Sequence, residues 1–119
     1  MPRQTVFEMP FAKVYSALVG KAERKGRTRD EVDEVTSWLT GYVPEQIDEL
    51  LSSDATYGSF MEHAPAYNPA PELITGRVCG VRVEAIEDPF MRRVRQLDKL
   101  VDELARGWPM EKVLRKIDA

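Results

Sequence analysis

A single cysteine and a single histidine stand among the 119 residues, so nucleophilic and metal chemistry have few groups to draw on. No internal disulfide and no multi-histidine zinc site can be built from them. Cys79 lies in Gly76-Arg-Val-Cys-Gly80, with Arg77 and Arg82 close by. A thiolate nucleophile there would need a helix N-terminus or a cation to lower its pKa, and a base to activate it. The simpler reading is a buried thiol that acts as a small hydrophobe beside glycines that allow close packing. His63 follows Glu62 at an expected helix end. It could act as a base, but a C-terminal cap, whose cation suits the negative end of the helix dipole, accounts for it with no further partner.

The carboxylates offer two clusters, Asp30/Asp33/Glu34 and Glu84/Glu87/Asp88. Either could recruit a hard cation such as magnesium. Both also stand where a helix is expected to begin, and there carboxylates are stabilising without a metal. Neither has EF-hand spacing, and no Gly-rich phosphate loop, nucleophile elbow or zinc-protease motif occurs. No metal, cofactor or catalytic residue is therefore assigned.

Charge is strongly partitioned beneath a net value of −3. Residues 1–29 carry seven basic and two acidic side chains, residues 30–76 ten acidic and no Lys or Arg, and residues 77–119 ten basic and eight acidic. The plain reading is intramolecular, with basic helices packed beside acidic ones. The alternative is an acidic surface that repels nucleic acid and attracts a basic protein. A helix-turn-helix reading of the second and third helices fails because Glu45, Asp48 and Glu49 would face phosphates. Arg92, Arg95, Lys99 and Arg106 form a basic stripe on the longest helix, but Asp102 interrupts it and no aromatic residue is interleaved for base stacking. It reads as a solvated face. Arg93 falls between Leu100 and Leu104 on the same wheel, so it either snorkels or forms a partly buried ion pair.

The elements that must hold these residues follow from periodicity. Residues 4–9 alternate like a short extended arm. Pro10 opens a helix with Phe11, Val14, Tyr15, Leu18, Val19 and Ala22 on one face, and Gly26 stops it. Thr28-Arg-Asp-Glu31 is a capping box that starts a helix with Val32, Val35 and Leu39 buried, Trp38 at the edge, and Gly41 at its end. Pro44 starts a third helix through Ile47, Leu50 and Leu51. Ser53 or Asp54 caps a fourth through Tyr57, Phe60 and Met61. Asn68-Pro69 begins another, which reads as helix through Val81, with a strand over 78–83 paired to the N-terminal arm as the alternative. Asp88-Pro89 begins the longest helix, ended by Gly107, and Pro109 begins a last one through Val113, Leu114 and Ile117. Val94, Leu97, Val101 and Leu104 have the spacing of a two-stranded coil, over only two heptads.

These strings resemble the bacterial family known as domain of unknown function 2200. The likeness runs through MPFAKVY, KAERKGRTRDEVDEVTSWLTGY, APAYNP, LITGRVCGVRVEAIEDPFM and RQLDKLVDELARGWPMEKVLRK. It implies a small, mostly helical, bacterial cytosolic domain, and carries over no catalytic or binding residue.

The expected fold is mainly α: one orthogonal bundle over residues 1–119, of six or seven short helices with at most a minor two-stranded ribbon. The expected function is a non-enzymatic interaction module that binds another protein or itself, as a homodimer, through its acidic face or long helix. The alternative is a small-ligand-binding protein or enzyme with a cleft near Trp38, Tyr42 and Tyr67, where helix ends meet and backbone amides could hold an anion. This charge pattern argues against nucleic acid as a partner. The N-terminus lacks a basic-then-apolar signal, and no apolar run approaches the roughly 18 residues of a membrane span, which points to the cytoplasm.

Overall fold

The computed structural model describes residues 3–67, 76–78 and 80–114. Seven α-helices and one short ribbon are present among them: α1 Arg3–Glu8, α2 Phe11–Glu23, α3 Arg29–Thr40, α4 Pro44–Leu51, α5 Tyr57–Glu62, β1 Arg77–Val78, β2 Val81–Arg82, α6 Pro89–Ala105 and α7 Met110–Val113. A 3-10 turn over Val83–Ala85 leads from the ribbon to α6. The fold is mainly α, as the periodicity indicated.

Local signals set most of the helix ends. Glu31 N donates to Thr28 Oγ1 at 3.2 Å while Thr28 N donates to Glu31 Oε1 at 3.0 Å, closing the capping box of α3. Gly41 ends that helix at φ 85°, and a Cβ there would also lie 2.6 Å from the Ala66 nitrogen that crosses it. Asp88 Oδ1 accepts from Phe90 N at 2.9 Å and Pro89 occupies the first turn, which starts α6.

Four expectations need correction. The N-terminal arm is helical: α1 turns Val6 into the core and sets Phe7 against Phe90, ring centroids 5.2 Å apart. Alternation over six residues cannot separate a strand from a single helical turn and a half, and packing on α5 decides. Pro10 sits one residue before α2, because Phe11 N donates to Ala55 O at 2.9 Å and Tyr57 N to Met9 O at 2.7 Å, an isolated bridge of Pro10 with Thr56. Helix α5 is capped by Thr56, not Ser53 or Asp54, since Ser53 Oγ is spent on Leu50 O (2.8 Å) at the end of α4. Finally, residues 77–83 are not a helix. Arg77 pairs with Arg82 and Val78 with Val81 in an antiparallel hairpin that pairs with itself rather than with the arm. Gly76 at φ 105° and Gly80 at φ 77° take backbone conformations that a helix excludes and a tight turn needs. The expected helix from Asn68 and the Ile117 end of the last helix lie outside the described residues.

The core is one cluster of buried side chains built on α6. Phe90, Val94, Leu97, Leu100, Val101 and Leu104 are all buried, so the heptad-like seam is packed inside the domain. Around it sit Phe11, Tyr15, Leu18 and Ala22 of α2, Val32, Val35 and Leu39 of α3, Ile47 of α4, Tyr57, Phe60 and Met61 of α5, and Val113 of α7. Several polar groups enter this core as bonded pairs. Tyr15 Oη donates to Asp33 Oδ1 at 2.5 Å, and Thr36 and Thr40 return their hydroxyls to Val32 O and Thr36 O.

Helix α1 is held by a void in α5: a Cβ on Gly58 would overlap the Phe7 ring. Gly58→Ala is therefore expected to push α1 off α5 and cost about 1–3 kcal/mol. Denaturant titration checks the loss, and an unchanged midpoint would mean that α1 is not packed there.

Candidate functional site

Helices α1, α2, α5 and α6 leave a cleft of about 270 Å³ between them. Its apolar wall is Val6, Met9, Val14, Leu18, Met91 and Val94, and its polar groups are Lys13, Tyr57, Arg95 and Asp98, with Ala17 at the rim. Helical spacing explains the set. Lys13, Val14, Ala17 and Leu18 follow one stripe of α2, and Met91, Val94, Arg95 and Asp98 one stripe of α6, so two helices lay paired stripes on either side of the gap.

Tyr57 is the unusual member. Its ring sits at 5.9 Å from Phe60 and edge-on to Phe90 at 6.5 Å, it is 1% exposed, and its buried hydroxyl has no hydrogen-bond partner. Burial pushes the phenol well above its ordinary range, and the Asp98 carboxylate raises it further while Arg95 opposes. The hydroxyl is thus protonated at neutral pH and within electrostatic reach of the two charged groups on the α6 wall. Those two are paired, Arg95 Nη1 to Asp98 Oδ2 at 3.1 Å. Burial also raises the Asp98 carboxyl, which Arg95 partly offsets. Lys13 is exposed. The cleft thus has a largely apolar wall with its Arg95 and Asp98 charges paired, and the Tyr57 hydroxyl lies buried behind that wall without an acceptor. Nothing local in the sequence marks Tyr57, which reads there as core.

The residues singled out from sequence lie elsewhere. Tyr42 is buried against Phe60, centroids 4.8 Å apart, and its hydroxyl donates to Phe60 O at 2.7 Å. Tyr67 donates to Gln96 Oε1, with the Arg93 guanidinium 4.0 Å above its ring. Trp38 is half-buried against the core. Ala66 N donates to Thr40 O at 3.1 Å, which draws the Tyr67 segment to the end of α3. Even so, the shallow depression beside Tyr42 is walled by Gln46, Glu49, Leu50 and Ser53, without Trp38 or Tyr67.

His63 Nδ1 lies 2.9 Å from Ser59 O, the geometry of a cap on α5. Cys79 lies outside the described residues. Asp33 turns inward to Tyr15 while Asp30 and Glu34 are exposed, and Glu84 accepts from Gly76 N at 3.0 Å as Asp88 caps α6. Among the described residues no three His, Cys, Asp or Glu side chains gather as metal ligands would. The basic stripe is largely spent inside the molecule. Arg92 Nε donates to Ile86 O at 2.7 Å, and Arg106 Nε lies 2.9 Å from Asp102 Oδ2. Lys99 is not on a solvated face: it is buried under the hairpin, its Nζ 3.3 Å from Arg77 O and 3.9 Å from Glu103 Oε2. Among the described residues Arg93 joins no ion pair. It donates to Met61 O at 2.7 Å, closing the carbonyl end of α5.

The acidic segment is partly neutralised. Arg27 pairs with Glu31 at 2.6 Å, and Arg29 bridges Asp33 and Asp48. Asp30, Glu34, Glu45, Glu49, Asp54 and Glu62 stay exposed, and Val43, at 48%, is the exposed large hydrophobic among the described residues.

Comparison with known proteins places this geometry. The family described as "Uncharacterized protein conserved in bacteria (DUF2200)" matches residues 5–115. A crystal structure described as "uncharacterized protein SP1917" is similar, with 50% sequence identity, a TM-score of 0.90, and coverage of 95% of this chain and 93% of that one. Among curated proteins, none matches. No described helix is long and apolar enough to cross a membrane.

Two outcomes follow from the tyrosines. Tyr57→Phe removes a buried donor that has no acceptor, so the variant is expected to gain about 1 kcal/mol in stability, read by denaturant titration; a loss would reveal a bond on that hydroxyl. All four tyrosines are raised: Tyr15 by burial and its bond to Asp33, Tyr42 by burial, Tyr57 by burial and Asp98, and Tyr67 by burial with Arg93 opposing. An acid whose native pKa exceeds its unfolded value of 10.0 keeps full stability below that pH and loses it above. Each phenol should then cost about 1.4 kcal/mol per pH unit above 10, until the pH reaches its own raised native pKa. Phenolate absorbance should rise together with loss of helix, and ionisation in the folded state would contradict this.

Proposed function

From the premise that this chain belongs to the bacterial DUF2200 family, we propose that it works by binding rather than by catalysis, and that its ligand is a small, largely apolar molecule held between α1, α2, α5 and α6. The observation that carries this reading is the cleft itself, about 270 Å³ with a largely apolar wall and its two α6 charges paired. The cleft volume stands near the small end of ligand sites. The ligand seat is thus distinct from a cleft near Trp38, Tyr42 and Tyr67, whose two tyrosine hydroxyls are already bonded within the fold.

A second reading has its own support. The exposed carboxylates of α3 and α4, with Val43 between those helices, suit a basic protein partner that brings one apolar side chain. Self-association would have to use a surface such as this, because the long helix has its apolar seam buried in the core. The exposed basic side chains of α6 argue little for nucleic acid, since Arg92 and Arg106 are bonded within the chain. The compartment we propose is the cytoplasm, as the resemblance to this bacterial family implies.

Ala17 stands at the rim of the cleft and is exposed, so a larger side chain there closes the opening without overpacking the core. A naphthalene dye should brighten on the unmodified protein and lose at least about tenfold in affinity on Ala17→Trp, equivalent to about 1.4 kcal/mol. Melting temperatures of the two proteins should agree. Equal dye binding to both would remove the cleft as the site.

A further inference from the structure

The cleft between α1, α2, α5 and α6, if it binds as proposed above, carries a charge that selects its occupant. Its two long walls are tied at one end. Lys21 stands one turn beyond Ala17 and Leu18 on α2, and Asp102 one turn beyond Asp98 on α6. Lys21 Nζ meets Asp102 Oδ1 at 3.1 Å, so an ion pair spans the gap there. Val6 and Met9 line the α1 end. A cleft of about 270 Å³ bounded in this way takes a small molecule, not a partner helix, which needs a groove open along its length.

The lining is apolar but not neutral. Arg95 and Asp98 cancel, Nη1 to Oδ2 at 3.1 Å. Lys13 is left over: it lines the cleft, is exposed, and joins no ion pair among the described residues. The tied end adds no negative charge, because Asp102 is shared by Lys21 and Arg106. An ammonium group entering here would meet Lys13 with no free carboxylate to receive it. An anion would gain an ion pair at the mouth while its charge stays in water, so it escapes the cost of burying a charge.

We propose that the occupant is a small amphipathic anion, a hydrocarbon chain that lies in the cleft and ends in a carboxylate paired with Lys13 at the mouth. The chain supplies most of the affinity by leaving water, and Lys13 sets the sign of the head group.

The test is displacement of an uncharged naphthalene dye from the full chain by octanoate, octylammonium and octanol, which share one chain and differ in head-group charge. On the unmodified protein at low salt, octanoate should bind at least about fivefold more tightly than octylammonium. Lys13→Gln should weaken octanoate by about two- to fivefold, the range of an exposed ion pair, and leave octanol unchanged. Lys13→Glu should reverse the preference between the two ions. Lys13 is exposed, so both variants should melt with the unmodified protein. Octylammonium binding as tightly as octanoate, or octanoate indifferent to Lys13→Glu, would overturn the anion inference and leave an apolar cleft standing. Failure of the dye and of all three compounds to bind would overturn the binding role itself.

Discussion

Helix α6 carries an apolar face from Phe90 to Leu104 that is too long for any one neighbour to cover. Each fully buried large side chain of that face is worth about 1.5–3 kcal/mol of transfer from water, and the remaining elements are arranged to collect it. Helices α2 and α3 lie along it, α5 closes its first turns, the hairpin covers it at Lys99, and α7 returns to its last turn. The short pieces would not persist alone, since helices of six or eight residues are marginal in water. They exist because α6 gives them a surface.

Sharing one apolar strut forces polar groups inward where helices cross, and the fold answers with bonded pairs. Tyr15 reaches Asp33 across α2 and α3, Lys99 passes under the hairpin to Arg77 O, and Arg93 closes the end of α5. In each case a long side chain spans two elements, so it holds their relative position as well as satisfying its own charge or hydroxyl. This also disposes of most of the basic stripe as a recognition surface.

Tyr57 departs from that economy. Its ring belongs to the core, wedged with Phe60 and Phe90, and its hydroxyl is buried there without an acceptor, behind the cleft that α1 and α2 help to line. The gap depends on α1, a helix too short to form without Gly58, which lets Phe7 lie flat on α5. Stability and the candidate site are therefore linked: the same contact that docks α1 gives the cleft one of its walls.

Much of the architecture was legible in the chain alone. The capping box at Thr28–Glu31, Gly41 after α3, Pro44 before α4 and Asp88-Pro89 before α6 are local signals whose physics needs no partner, and the helices start and stop there. The i, i+3, i+4 pattern of α6 likewise named the residues of the core. What the sequence could not decide depended on contacts far apart in the chain. Residues 4–9 are helical because α5 receives them, and residues 77–83 fold back on themselves because Gly76, beside Lys99, and Gly80 both take positive φ. Lys99 itself reads as a surface cation until the hairpin covers it. The candidate site belongs wholly to this second class: Lys13, Tyr57 and Asp98 are separated by some forty residues each, so no spacing along the chain could bring them together. Local hydrogen bonding and periodicity determine where helices begin and end, but a cleft is the space that packed helices fail to fill, and only the tertiary structure decides where that space lies.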